Sequence, residues 1–334
     1  MQPDIADVRK DQYLTQFSIG YKNAMFIADR VFPNVPVVNK SDSFFKFKKG
    51  AWFRADAGYR APGTPSRRSG YVLADDNYSC KERSLAHPVP IELLNNSVNM
   101  FNPILTGTRY VTNQVLLAKE LAVAGAAIAA SVWTTEDDVA GAWVADTDGS
   151  SNTFISDVET NKETVRQLIG VYPNVLVMDA KTWKEVKNTY AVLERVKYTG
   201  GPNDPAKVTP RSIAALFDLE DVIIAPAIYS DAEEVADGTD FNAVDIWEVN
   251  AGKGSALLFY RPAAPAIEEP SAGYVFNWPG SEGVEGLEMV DAYRTIRRWF
   301  DKDAKSWIIE CSEYFDVQVT CADAGVLFKD TILT

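Results

Sequence analysis

The single histidine of the chain, His87, is the first residue to consider as a catalytic group. A Ser-His-Asp triad, a Cys-His pair or a histidine-ligated zinc site would have to use it, because the sequence has no second histidine. Pro88 follows it directly, and no nucleophile motif lies beside it. This context is typical of a structural histidine, so we expect no catalytic dependence on His87.

Two further motifs resemble ligand-binding loops only in part. Asn250–Ser255 is rich in glycine, but Gly254 follows Lys253 where a phosphate-binding loop has serine or threonine. Asp146–Gly149 has its glycine too early for a calcium loop. We interpret the first motif as a turn between two strands, and we expect neither a cofactor nor a bound metal.

Paired carboxylates are the remaining candidates for chemistry, since two such groups can hydrolyse a glycosidic bond. The pairs Glu233-Glu234 and Glu268-Glu269 lie in polar, loop-like sequence, which favours a solvated surface. A cytoplasmic α+β hydrolase that uses acidic residues stays open as an alternative function.

The composition indicates a folded, soluble protein. The 334 residues carry a formal charge of −13 and are 46% hydrophobic, which is enough for a large core in one or two domains. The longest apolar run, Leu121–Trp133, is too short to cross a bilayer, and we expect no signal peptide and no membrane association. Cys80, Cys311 and Cys321 lack metal-ligand or CxxC spacing, so we expect reduced, mostly buried thiols in a cytoplasmic product.

Charge is distributed unevenly along the chain. Residues 1–90 hold 14 Lys+Arg against 9 Asp+Glu, a net of +5, and since the whole chain carries −13 the remaining 244 residues carry −18. A basic, aromatic segment could bind single-stranded nucleic acid, but the acidic remainder would repel a phosphate backbone. We therefore favour contact between the basic limb and an acidic protein neighbour.

The basic limb contains an extended loop, residues 43–85, whose pattern predicts two strands. Phe45 and Phe47 alternate with Lys46 and Lys48, as in a strand with one apolar face. A glycine- and proline-rich tip follows, and the return strand lies between residues 71 and 85. An isolated hairpin with exposed aromatic residues needs a partner surface. The predicted contact residues are Phe45, Lys46, Phe47, Lys48, Lys49, Trp52, Phe53 and Arg54.

Beyond the loop, the pattern predicts a mixed α+β fold. Thr106–Trp133 contains no proline and predicts one long helix, capped by Thr106 or Thr108. Short strands and helices alternate over residues 173–280 and predict a compact α+β lobe, and the C-terminal residues offer long strand patterns.

This order of elements resembles the major capsid proteins of tailed double-stranded DNA bacteriophages, which share the Hong Kong 97-like fold. The most similar segments are Leu14–Phe47, Ser79–Ser97 and Tyr314–Ile332. The resemblance covers nearly the whole chain and rests on architecture rather than on a short motif. It implies an N-terminal arm at 1–42, the extended loop at 43–85, a peripheral domain at 86–172 and 281–334 with the spine helix at about 106–133, and an axial domain at 173–280.

The resemblance also implies a function and partners. The subunit would assemble through hexamers and pentamers into an icosahedral shell of the virion, in the host cytoplasm, with the loop lying across the adjacent subunit. The shell would enclose double-stranded DNA without sequence-specific binding. Because the chain begins with the arm, we expect a separate scaffolding protein, together with a portal and a decoration or minor capsid protein. A bacterial encapsulin-like nanocompartment shell is an alternative with the same fold.

Overall fold

The computed structural model describes residues 25–96, 102–197, 207–233, 241–265, 269–279, 287–291 and 293–332. The first 24 residues of the predicted N-terminal arm lie outside this part of the chain. The helices are α1 Ala28–Val31, α2 Lys49–Trp52, α3 Ile91–Asn96, α4 Pro103–Ala127, α5 Phe154–Ile169, α6 Ala180–Val186, α7 Tyr190–Val196 and α8 Pro210–Leu216. The strands are β1 Asn34–Pro36, β2 Ser41–Phe47, β3 Leu73–Ser79, β4 Lys81–Pro90, β5 Thr135–Asp138, β6 Val175–Asp179, β7 Asp221–Ala225, β8 Ile228–Ser230, β9 Ala243–Asp245, β10 Ser255–Phe259, β11 Tyr274–Asn277, β12 Leu287–Asp291, β13 Arg294–Asp301, β14 Ser306–Gln318 and β15 Gly325–Lys329.

Two sheets form the body of the molecule. One has six strands in the order β1-β11-β14-β13-β12, with β4 pairing antiparallel to β14. The other has five strands in the order β5-β15-β10-β6-β7 and contacts α5, α6 and α8. We call the five-stranded sheet, with these helices and the segments that lead directly into its strands, the lobe. The described fold is therefore mixed α+β, as the sequence predicts.

The long helix differs from its predicted bounds. It starts at Pro103, because the Asn102 side chain accepts hydrogen bonds from the backbone N–H groups of Ile104 and Leu105 and proline suits the first turn. It ends at Ala127, whose carbonyl oxygen accepts a 2.7 Å hydrogen bond from the indole Nε1 of Trp133. The prediction of a helix over residues 106–133 is wrong at both ends, and neither threonine is the cap.

The two sheets do not follow the domain ranges expected from the sequence. β5 and β15 lie outside residues 173–280, yet both belong to the five-stranded sheet, with β15 antiparallel to β10. β11 lies inside residues 173–280, yet it pairs with β14 in the six-stranded sheet. The physical reason is burial: every residue of β10 is buried, so this strand needs a partner on each edge, and the C-terminal β15 supplies one.

The described end of the N-terminal arm is fixed by a buried carboxylate on α4. Glu120 is fully buried and accepts hydrogen bonds from the backbone N–H groups of Ile27, at 3.0 Å, and Ala28, at 2.8 Å. The indole of Trp247, from the lobe, donates a third at 2.6 Å. Burial raises the pKa of Glu120, and these three donors oppose that rise.

The neighbouring Lys119 is 3% exposed and joins the arm to the six-stranded sheet. Its Nζ lies 2.8 Å from Oε1 of Glu313 on β14 and 2.9 Å from Oδ1 of Asn34 on β1. It also lies 2.9 Å from Oδ1 of Asp29. Adjacent positions of one helix therefore hold the arm, the lobe and the six-stranded sheet together.

Replacing Glu120→Ala should lower the free energy of unfolding by at least about 3 kcal/mol, because three buried N–H donors lose their acceptor at a cost of about 1–3 kcal/mol each. Chemical denaturation of the subunit measures this. Glu159→Ala is the matched control, since Glu159 is exposed on α5. Equal stabilities of the two variants would contradict the structural role of Glu120.

Candidate assembly interface

The extended loop leaves the body from an aromatic root. The Tyr78 ring stacks on Phe276 at 4.8 Å between centroids, and Phe44 packs on the same ring at 5.3 Å. The backbone N–H of Ser79 donates to Oδ2 of Asp316 at 2.8 Å. The base of the loop is thus fixed to β11 and β14 by buried aromatic contacts and a hydrogen bond.

The predicted two-stranded projection is present, and its strands are β2 and β3. They pair antiparallel from Ser41 with Ser79 to Phe47 with Leu73. Lys46 forms a cross-strand ion pair with Asp76, with 2.6 Å between Nζ and Oδ2. The return strand predicted over 71–85 is divided at Cys80, because β4 belongs to the six-stranded sheet. The projecting part therefore ends at Ser79.

The distal end of the loop contains a turn of helix and an aromatic cluster. Phe47 lies 5.7 Å from Trp52 and 6.0 Å from Tyr71 between ring centroids, and Trp52 lies 6.2 Å from Tyr71. The sequence pattern did not reveal α2 or the part played by Tyr71. The short spacing from Phe47 to Trp52 was a usable signal, because a helical turn between them brings the two rings together.

Most aromatic surface of this loop faces solvent. Phe45 is 65% exposed, Trp52 57%, Phe53 64% and Tyr71 63%, and Tyr59 near the tip is fully exposed. Isolated exposed apolar side chains are common, but several exposed rings on one loop, with Trp52 and Tyr71 in contact, indicate a binding surface. Complete burial of one such ring contributes on the order of 1.5–3 kcal/mol.

The same surface is basic. Residues 43–73 contain seven Lys+Arg and one acidic residue, a net of +6. Lys48, Arg54, Arg60 and Arg68 are exposed and have no ion pair within the described residues. Arg67 lies 3.5 Å from Asp56, the one carboxylate of this segment. The loop therefore offers aromatic and cationic groups together, which suits an apolar surface with an acidic border.

Two of the eight predicted contact residues touch the body of their own chain. Lys49 Nζ lies 2.5 Å from Oδ2 of Asp323, whose Oδ1 accepts a 2.6 Å hydrogen bond from the Thr134 hydroxyl. Burial would raise the pKa of Asp323, but Lys49 and Thr134 outweigh it and lower that pKa. The Phe53 ring covers Gly170, where an added Cβ would lie 2.9 Å from Cε1 of the ring.

The residues considered above for catalysis or ligand binding make structural contacts. His87 packs against Gly107 of α4, and its ring lies 5.8 Å from that of Tyr110. Asn250–Ser255 forms a turn before β10, in which Lys253 pairs with Asp330 at 3.0 Å. Cys80 and Cys311 are buried and Cys321 is partly buried, and burial raises the pKa of Cys80 to about 11.

Within the described ranges, no group of three histidine, cysteine, aspartate or glutamate residues could hold a metal ion. Over the same part of the chain, no helix is long and apolar enough to span a membrane.

Comparison with known proteins gives sequence relatives among phages. The chain is 24% identical to the major capsid protein of Burkholderia phage BcepMu over 326 residues, which is 96% of this chain and 95% of that protein. It is 28% identical to the major capsid protein of Pseudomonas phage JBD67 over 110 residues, 33% of this chain and 36% of that protein. No family model matches the chain.

Solved structures show the same architecture. A phage-related protein from Bordetella bronchiseptica, 26% identical, has a TM-score of 0.66 and aligns with 94% of this chain and 95% of its own. The capsid of cyanophage P-SCSP1u, 10% identical, has a TM-score of 0.61 over 98% of this chain and 95% of its own, which shows a shared fold. The chain is thus similar to phage major capsid proteins along nearly its whole length in sequence, and it shares the Hong Kong 97-like fold of phage capsids.

Proposed function

We propose that this chain is the subunit of an icosahedral phage capsid, in which hexamers and pentamers close around double-stranded DNA. One observation carries the proposal: a chain similar to capsid proteins over almost its full length presents an aromatic, basic loop on a firmly anchored root. In the single chain most of this aromatic surface stays in water. A second copy of the chain is the simplest partner that covers it repeatedly.

In this shell the extended loop lies across the adjacent subunit. Phe45, Phe47 and Trp52 supply apolar area, while Lys48 and Arg54 face acidic groups of the neighbour. Residues 43–73 carry +6 and the chain as a whole carries −13, so contact between copies brings opposite charges together. Each exposed ion pair contributes only about 0–1 kcal/mol, but a closed shell repeats the contact many times.

The two sheets take different places in this proposal. The lobe is the axial domain around the five-fold and six-fold axes, with β5 and β15 added to its predicted range. The six-stranded sheet and α4 form the peripheral domain, with α4 as the spine helix. A separate scaffolding protein, a portal and a decoration or minor capsid protein are the further partners that we propose.

The competing functions have less support. The curated relatives are capsid proteins of phages, which favours a virion over an encapsulin-like compartment. A hydrolase needs a site with convergent acid and base groups. Of the two carboxylate pairs, only Glu233 and Glu269 belong to the described residues.

The proposal is tested by expressing the chain alone and with the scaffolding protein of its own phage, followed by electron microscopy and light scattering. Closed particles of uniform size are the expected result. Monomers or small oligomers under every condition, even at high protein concentration, would contradict the proposed function.

Replacing Phe45, Phe47 and Trp52 by serine should leave a folded subunit and abolish closed particles, because these residues project from the body. Thermal unfolding and particle size measure the two effects separately. The control variant carries leucine at the same three positions and keeps the apolar area, so it should still assemble. A serine variant that closes normal shells would show that this surface does not contribute to assembly.

Reversing the charge of Lys48, Arg54 and Arg60 to glutamate should weaken assembly less than the serine variant does, since exposed charges contribute less than buried rings. The protein concentration required for assembly should rise, and its difference from the unchanged protein should shrink as salt rises from about 0.05 to 0.5 M. A charge-conserving variant, with arginine and lysine exchanged at these positions, should behave as the unchanged protein. A defect independent of salt would rule out an electrostatic cause.

A further inference from the structure

The distal part of the extended loop is held against its own lobe by two contacts. We call residues Lys49–Phe53 the elbow. Lys49 pairs with Asp323 at 2.5 Å, and these side chains are 54% and 23% exposed. The Phe53 ring lies on Gly170, the left-handed residue that ends α5, yet 64% of Phe53 remains exposed. The elbow is thus in contact with the lobe without being buried in it.

The two ends of the projection differ in how firmly they are held. At the root, Tyr78 is 7% exposed and Cys80 is fully buried, next to the stacked Phe276. At the elbow, an exposed ion pair and the edge of one ring make the contact. The β2–β3 ribbon between them can therefore leave the lobe at its distal end while its root stays in place.

The elbow contacts compete with the proposed function. Lys49 and Phe53 belong to the surface that would lie across the adjacent subunit, and they cannot touch their own lobe and a distant neighbour together. A subunit with a docked elbow presents an incomplete contact surface. Only the fraction of subunits with a free elbow would be competent to assemble, and the concentration required for assembly rises in inverse proportion to that fraction.

We propose that the Lys49–Asp323 and Phe53–Gly170 contacts form a latch that keeps the loop on its own subunit and slows assembly until a neighbour displaces it. This inference rests on the proposed capsid function and adds a control step to the same surface. A change at Asp323 distinguishes the latch from the contact between subunits, because Asp323 belongs to the latch and lies outside the loop that contacts the neighbour.

Asp323→Asn tests the latch. Asparagine keeps the size of the side chain and an oxygen for the Thr134 hydroxyl, while Lys49 loses its ionic partner. Loss of one exposed ion pair should raise the population of free elbows by up to about fivefold, and the concentration required for assembly should fall by the same factor. Light scattering against protein concentration measures the threshold. Trypsin cleavage after Arg54 in the unassembled subunit measures elbow release and should accelerate to a similar extent.

Asp330→Asn is the matched control, because the Lys253–Asp330 pair has similar exposure, 45% and 18%, and the change in net charge is the same. Its threshold should equal that of the unchanged protein. Cleavage after the exposed Lys302 is the internal reference and should not change in either variant.

Three results would overturn the latch. Unchanged cleavage after Arg54 in the Asp323→Asn variant would show that the contact does not hold the elbow. Faster cleavage with an unchanged threshold would show that the contact does not restrain assembly. A higher threshold would show that Asp323 serves the contact between subunits. If no variant forms particles while cleavage after Arg54 still accelerates, the elbow contact stands and the proposed function, with its control step, fails.

Discussion

The burial of two adjacent charges on α4 is the constraint on which the rest of the structure depends. Lys119 and Glu120 are almost inaccessible to water, and a buried charge is tolerated only where polar partners surround it. Glu120 takes its donors from the arm and from Trp247 of the lobe, while Lys119 takes its acceptors from β1 and β14. The two charges are both satisfied only when the arm, Trp247 and the six-stranded sheet are all in place, so these adjacent residues couple the formation of the body.

The extended loop differs from the body, because many of its side chains have no partner within the subunit's described residues. The body satisfies its buried charges and aromatic residues internally, as in the Trp143–Phe154 contact at 4.9 Å within the lobe. The loop instead carries exposed aromatic rings such as Trp52 and Tyr71, and cations such as Lys48 and Arg54 that form no ion pair within the described residues. A stable body combined with an unsatisfied projection is the arrangement expected of a subunit whose last contacts come from another copy. It also explains why the loop can rest on its own lobe at the elbow without being fixed there.

Local sequence predicts those elements whose conformation is set by residues that are neighbours in the chain. The alternation at Phe45 and Phe47 predicted β2, because a strand has a period of two. Asn102 was missed as the cap of α4, although its type and the following Pro103 are typical of a helix start. The end of α4 could not be predicted, since it depends on Trp133 folding back onto Ala127.

Contacts between distant parts of the chain account for the remaining differences. Glu120 and Ile27 are 93 positions apart, and Lys49 and Asp323 are 274 apart. A single sequence does not pair such residues, so both the buried charges of α4 and the contact of the elbow were invisible to pattern analysis. The composition of the five-stranded sheet could not be predicted for the same reason, because the neighbour of β10 is β15, near the C-terminus.

A cryo-electron microscopy reconstruction of closed particles would show where residues 43–79 lie once many copies are together. We expect Trp52 and Phe53 to be buried against the adjacent subunit and Lys49 to have left Asp323. A loop that remains on its own lobe in a closed shell, with its aromatic rings still in solvent, would contradict a role of the loop in joining subunits.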